Sequence, residues 1–187
     1  MCIRDRVRPA TVEVRFNLVR AYLQAGRITA ALPAARELSA THKQDIQLHF
    51  SLGVLLASAK QYKSAQIELE QANTLQPETF EILHNLGEAY LKGHDYAKAE
   101  LALDRASKLK PDSAETLYLL AQVDFEQSRP VDALDLLVRA HKLAPQDVYK
   151  RQIAIRCRIS TRATALQTIF FTTKATEFFT TAPKLQV

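Results

Sequence analysis

One periodicity constrains this chain more than anything else in it. Pro9, Pro77, Pro111 and Pro145 fall on a single 34-residue grid, with Lys43 in the missing place. On that grid Leu18, Leu52, Leu86 and Leu120 align, as do Ala31, Ala65, Ala99 and Ala133. Val19, Gly53, Gly87 and Ala121 share another place, and Leu38, Ala72, Ala106 and Ala140 a further one. The units run 12–45, 46–79, 80–113 and 114–146. A fixed period of this length marks stacked supersecondary units, each too small to bury its own apolar face. Neighbours must supply the core.

The third unit is the most regular, with Leu83, Leu86, Gly87, Tyr90, Ala99, Leu103, Ala106 and Pro111 in their places. These residues resemble the tetratricopeptide repeat family. The resemblance implies an all-α fold, a right-handed superhelical array of antiparallel helix hairpins with about four repeats. Apolar residues at three- and four-residue spacing give each helix one buried stripe. In the third unit this predicts helices over Phe80–Lys92 and Tyr96–Leu109, with Gly93, His94 and Asp95 turning the chain. Small residues at Gly87, Ala99 and Ala106 let paired axes approach closely. The prolines follow the second helix, which they cannot continue.

Several residues depart from the pattern. Arg15 replaces an apolar residue, Lys43 replaces the proline, and Pro33 falls inside the second helix of the first unit. With Thr29 as that helix's cap, Pro33 lies just past the first turn, where its cost is smaller. Asp124 stands where Tyr22, Leu56 and Tyr90 stand in the other units. A buried carboxylate without a partner is expensive, so either the helix shifts there or, as is expected, that face is open because the next repeat is missing.

In the family resembled, first helices line a concave face that receives protein or peptide partners. The places there hold Phe16, Phe50, His84 and Tyr118, beside a strip of Leu23, Ala57, Leu91 and Phe125. Aromatic side chains combine contact area with a polar edge, which suits a peptide groove; the same rings also suit packing between repeats. Glu13, Glu81, Glu88, Glu115 and Glu126 outnumber Arg20 and Lys92 on that face, which either favours basic or apolar segments or is an ordinary solvated helix face. Asn17 and Asn85 point to the same side. Phe16, Val54, Glu81 and Leu119 stand where a clamp for a terminal carboxylate would need polar or basic groups, so that activity is not expected.

No metal-binding pair exists among the five histidines, and there is no glycine-rich phosphate loop and no nucleophile elbow. The chain is therefore read as a scaffold without cofactor or catalytic residues. Two rival readings stand beside it: a non-catalytic region of a larger enzyme or secretion complex, and self-association through uncovered ends.

The ends read differently from the repeats. Residues 1–6 and 147–152 are two reading frames of one DNA string, GATGTGTATAAGAGACAG, which resembles a transposon end used in tagmentation libraries. They are read as translated adapter, and 153–187, with 8 threonines in 35 residues, as an unrelated or frame-shifted tail. The repeats then form an internal fragment of a longer array. This bears on charge. The whole chain carries +5, but residues 7–146 hold 16 Lys and Arg against 17 Asp and Glu. Without a basic footprint, nucleic acid is not an expected partner. Cys2 and Cys157 both lie in the flanks, so the repeats hold no thiol. No apolar run reaches the ~18–20 residues of a membrane span.

Overall fold

The computed structural model describes residues 11–144, whose regular elements are all α-helices. The adapter-like hexapeptides and the tail beyond them lie outside the described residues. Two units are distinguished, divided after Asp112. The first holds α1 Val12–Gln24, α2 Ile28–Thr41, α3 Ile46–Ser58, α4 Tyr62–Leu75, α5 Phe80–Lys92 and α6 Tyr96–Leu109. The second holds α7 Ala114–Glu126 and α8 Pro130–Leu143. Consecutive helices pair as α1 with α2, α3 with α4, α5 with α6, and α7 with α8. In the first unit α4 also packs broadly on α5, whereas α2 meets α3 only sparsely.

The helices start and stop on local signals. Asp45, Asp95 and Ser113 accept backbone N–H bonds from Leu48, Lys98 and Thr116, at 3.0, 3.3 and 3.2 Å, satisfying donors that a helix start leaves orphaned. The first helix of every hairpin ends in one motif. Arg27, Gln61, Asp95 and Arg129 donate their N–H to the carbonyls of Tyr22, Leu56, Tyr90 and Asp124, at 2.8–2.9 Å. The residue before each donor is left-handed: Gly26 at φ 70°, Lys60 at 59°, His94 at 64° and Ser128 at 62°. This is a Schellman closure repeated every 34 residues. In the third hairpin His94 takes the strained backbone. Gly93 serves a different end, since a Cβ there would lie 2.4 Å from Nε2 of Gln66 on α4.

Close axial approach is the core's main device. A Cβ on Gly53 would sit 2.5 Å from Cγ of Leu69, and one on Gly87 2.5 Å from Cγ of Leu103. The matching places hold Val19 with Ala35 and Ala121 with Leu137, all buried. Where the first-helix residue grows to valine, its counterpart shrinks to alanine. The first three hairpins thus nearly conserve volume across the pair, as close-packed interiors require, and the fourth carries one methyl more.

Two expectations need correction. Thr29 does not cap α2; Arg27 occupies the cap and makes no side-chain cap bond. Pro33 therefore sits in the helix's second turn, where its missing N–H removes a ladder bond. Nor is the face around Asp124 open. Asp124 is 8% exposed, and its carboxylate meets Arg129 Nη2 at 2.6 Å. The carboxylate is tolerated because its cation comes from the turn of its own hairpin. Tyr22 and Arg27 fill the same two places in the first hairpin, there as ring and overlying guanidinium at 5.2 Å.

Polar groups enter the core elsewhere too. Tyr90 is buried and donates its hydroxyl to Glu70 on α4, while Lys98 of α6 lies 5.2 Å from the ring and 3.8 Å from Glu70. Burial first, then the Glu70 bond and charge, push the phenol well above its ordinary 10.0. In the second hairpin His49 and Glu68 take places that are Leu83 and Ala102 in the third. Both are at most 5% exposed. Nδ1 of His49 lies 2.8 Å from Glu68 Oε2, and Nε2 lies 3.2 Å from the Lys43 carbonyl. The carbonyl can only accept, so Nε2 donates to it, and Nδ1 faces the carboxyl oxygen at hydrogen-bonding distance.

Gly87→Ala is expected to destabilise the fold by about 1–3 kcal/mol in denaturant unfolding, because Leu103 must leave its rotamer. Replacing His49 and Glu68 together by the Leu and Ala of the third hairpin is expected to leave stability unchanged or raised. Glu68→Ala alone should cost about 3 kcal/mol or more, the range for breaking one side of a buried pair. Tyr90 has a folded pKa above its unfolded value of 10.0. Its contribution is full below that pH and declines as pH rises through it. Alkaline titration of unfolding stability should fall less steeply in Tyr90→Phe than in the parent.

Candidate partner-binding surfaces

Where the first helices of the first unit lie side by side, α1 and α3 bound a shallow depression of about 360 Å³. Val12, Glu13 and Phe16 line it from α1, and Gln47, Leu48 and Ser51 from α3, with Asp45 at the rim. Glu13 and Asp45 are exposed and give the depression an acidic edge. The ring of Phe16 is half-buried, with the Arg20 guanidinium 5.7 Å from its centroid.

The remaining first-helix residues singled out by the grid fall into distinct environments. Phe50 is half-buried on α3. His84 is buried on α5 and stacks on Phe80 at 5.6 Å, and Lys110 lies 5.0 Å over the other ring. Leu23 and Leu91 are buried, at 8% and 6% exposure, and present little surface. Asn17 is exposed and accepts from Arg20; Asn85 donates to the Glu81 carbonyl at 2.7 Å. Glu81 is exposed and Glu88 half-buried. In the second unit Tyr118 and Phe125 are half-buried against a core of Ala121, Ala133 and Leu137. Tyr118 also accepts from Gln122 at 3.1 Å.

A second concavity lies on the opposite side of the same hairpins, and first-helix reasoning passed over it. It measures about 360 Å³ and separates α2 from α3 and α4. Leu32, Ala35, Ala40, Leu56 and Ile67 supply apolar walls, His49 and Glu68 reach it from the core, and Arg36 and Lys43 line it as exposed cations. Grid departures signal it in the sequence. Arg36 stands where Glu70 and Asp104 stand, Lys43 where proline stands, and His49 where Leu83 and Leu117 stand. Among the described residues no three His, Cys, Asp or Glu side chains converge to hold a metal ion. Nor is any described helix long and apolar enough to cross a membrane.

Known proteins place this architecture. No curated protein matches the chain. Among solved structures, residues 41 to the end of MamA from Desulfovibrio magneticus RS-1 align with a TM-score of 0.69 at 19% identity, over 92% of this chain and 97% of that one. The APC/C hetero-tetramer Cut9–Hcn1 aligns at 0.62 and 23% identity, over 79% of this chain and 30% of that one. The Arabidopsis OM64 TPR domain aligns at 0.59 and 18%, over 60% and 93%. At these identities the likeness is one of fold. Residues 12–76 and 84–148 match the family model described as tetratricopeptide repeat, and with most of the sequence so covered, the chain belongs to the tetratricopeptide repeat family.

Proposed function

We propose that this protein is an interaction scaffold that receives a partner segment on the side formed by its first helices. The family and the fold support a protein-binding scaffold in general. One observation carries the finer reading: Phe16, with Arg20 over its ring, lines a depression between α1 and α3 whose charged lining residues, Glu13 and Asp45, are acidic. An aromatic wall with an acidic rim suits a segment that offers an apolar side chain beside Lys or Arg. Preformed helices reduce the ordering cost of capture, so a shallow surface can still select. Opposite charge accelerates encounter and excludes acidic competitors. Phe50, on the adjoining helix, extends the apolar wall in this reading. Assembly with other proteins has a parallel in Cut9–Hcn1, itself a complex of two proteins.

The chemistry on this side is recognition. Tetratricopeptide repeat chains are typically non-catalytic, and the residues of the depression include no nucleophile paired with a base.

Panning a random peptide library against the full chain tests the proposal. Selected peptides should pair bulky apolar residues with Lys or Arg. The double variant Phe16→Ala, Phe50→Ala should bind them at least about tenfold more weakly, a loss of about 1.4 kcal/mol. Unchanged affinity in the double variant would remove the depression from consideration. A collapse of stability by about 3 kcal/mol or more would instead mark both rings as core.

A further inference from the structure

The cavity on the second-helix side departs from the rest of the array in three linked ways. First, its polar floor is not a requirement of the hairpin. The two places held by His49 and Glu68 are filled by Leu83 and Ala102 in the next hairpin, both buried. Burying an ionisable pair where an apolar one fits costs desolvation without a packing gain. Second, this pair borders a space large enough to hold something. At about 360 Å³ the cavity falls within the ~300–1,000 Å³ range of ligand sites. It exists because α2 meets α3 only sparsely, whereas α4 packs broadly on α5. Third, two cations line it: Arg36 at a place that is acidic in the next two units, and Lys43 at the proline place. Arg36 and Lys43 are both exposed, and among the described residues neither is held in an ion pair.

We infer that this cleft is a second docking site, opposite in charge preference to the first-helix side. It takes a protein segment that carries a bulky apolar side chain next to Asp or Glu. The apolar group enters between Leu32, Ala35, Leu56 and Ile67, and the acidic group meets Arg36 and Lys43 at the mouth through charge-assisted hydrogen bonds. The Glu68 carboxylate sets the orientation. Its Oε2 is engaged by His49, and desolvating a second carboxylate beside it would be costly, so an acidic group stays at the mouth, away from the floor. A protein segment is favoured over a free acid because the apolar surface continues outward. Ile67 lines the cavity yet is 62% exposed, and Leu101, one repeat later at the same place, is 65% exposed. An extended chain anchored in the cleft can run across both; a small molecule enclosed in it uses neither.

The test is a titration of the full chain followed by NMR, reading the His49 ring and the Ile67 methyl groups. Three probes are used: the blocked peptide acetyl-Asp-Leu-Phe-Asp-amide, its neutral counterpart with Asn for both Asp, and octanoate. The acidic peptide should shift both sets of signals saturably, and the neutral peptide should bind about tenfold or more weakly. The double variant Arg36→Gln, Lys43→Gln changes only exposed residues and should keep the parent's thermal unfolding while losing about tenfold in affinity for the acidic peptide. Absence of shifts with the acidic peptide overturns the site. Equal binding of the two peptides, or unaltered affinity in the double variant, overturns the role of the cations. Shifts with octanoate but not with the acidic peptide overturn the protein segment as occupant. Loss of binding in Phe16→Ala, Phe50→Ala would show that the peptide occupies the first-helix side instead, so the two sites are separately falsifiable.

Discussion

The structure depends on how closely two helices of a hairpin can approach. Gly53 under Leu69 and Gly87 under Leu103 leave no room for a Cβ. That approach lets a two-helix unit of about 30 residues form a dry seam, although neither helix would hold alone. The same two places carry valine over alanine in the first hairpin and alanine under leucine in the fourth. Across the first three hairpins the summed volume of the seam is nearly preserved while the residues change; the fourth seats one more methyl. Prolines, caps and left-handed turns adjust the ends of the helices; the seam decides that they pair.

Polar intrusions into this apolar plan are handled locally. Asp124 is neutralised by Arg129 in the turn that closes the same helix. Tyr90 is held by Glu70 from the preceding hairpin and covered by Lys98 from its own. His49 and Glu68 satisfy one another and the Lys43 carbonyl. Each arrangement follows the rule that a buried polar atom needs a partner close at hand. The His49–Glu68 pair differs in one respect: it borders empty space. The other two border no such cavity: each reaches solvent through its outer members, Glu70 and Lys98 in one and Arg129 in the other.

The two sides of the first two hairpins are therefore unlike. The first helices present an aromatic ring within an acidic edge. The second helices present an apolar cleft with cations at its mouth. Protein interfaces gain specificity from such charge contrast more than from area; in the proposed reading, oppositely charged sides would keep two different segments from exchanging.

Much of this was legible in the 34-residue grid. The helix limits of the third unit, Phe80–Lys92 and Tyr96–Leu109, match the structure residue for residue, because apolar spacing, turn residues and a terminal proline all act over a few residues. Family membership was legible for the same reason. What local reasoning could not reach was partnership across space. Asp124 looked unsupported because Arg129 approaches it only once the turn has closed. Thr29 looked like a cap although the helix begins before it. The cleft between α2 and α4 left only grid departures such as Lys43 and His49 in the sequence, since the space itself arises from how one hairpin leans on the next. The sequence by itself determined which segments are helices and which places face the seam, because periodicity imposes both. Only the tertiary structure decided which seam leaves a void and which charges line it, because those depend on distances between residues the chain does not place side by side.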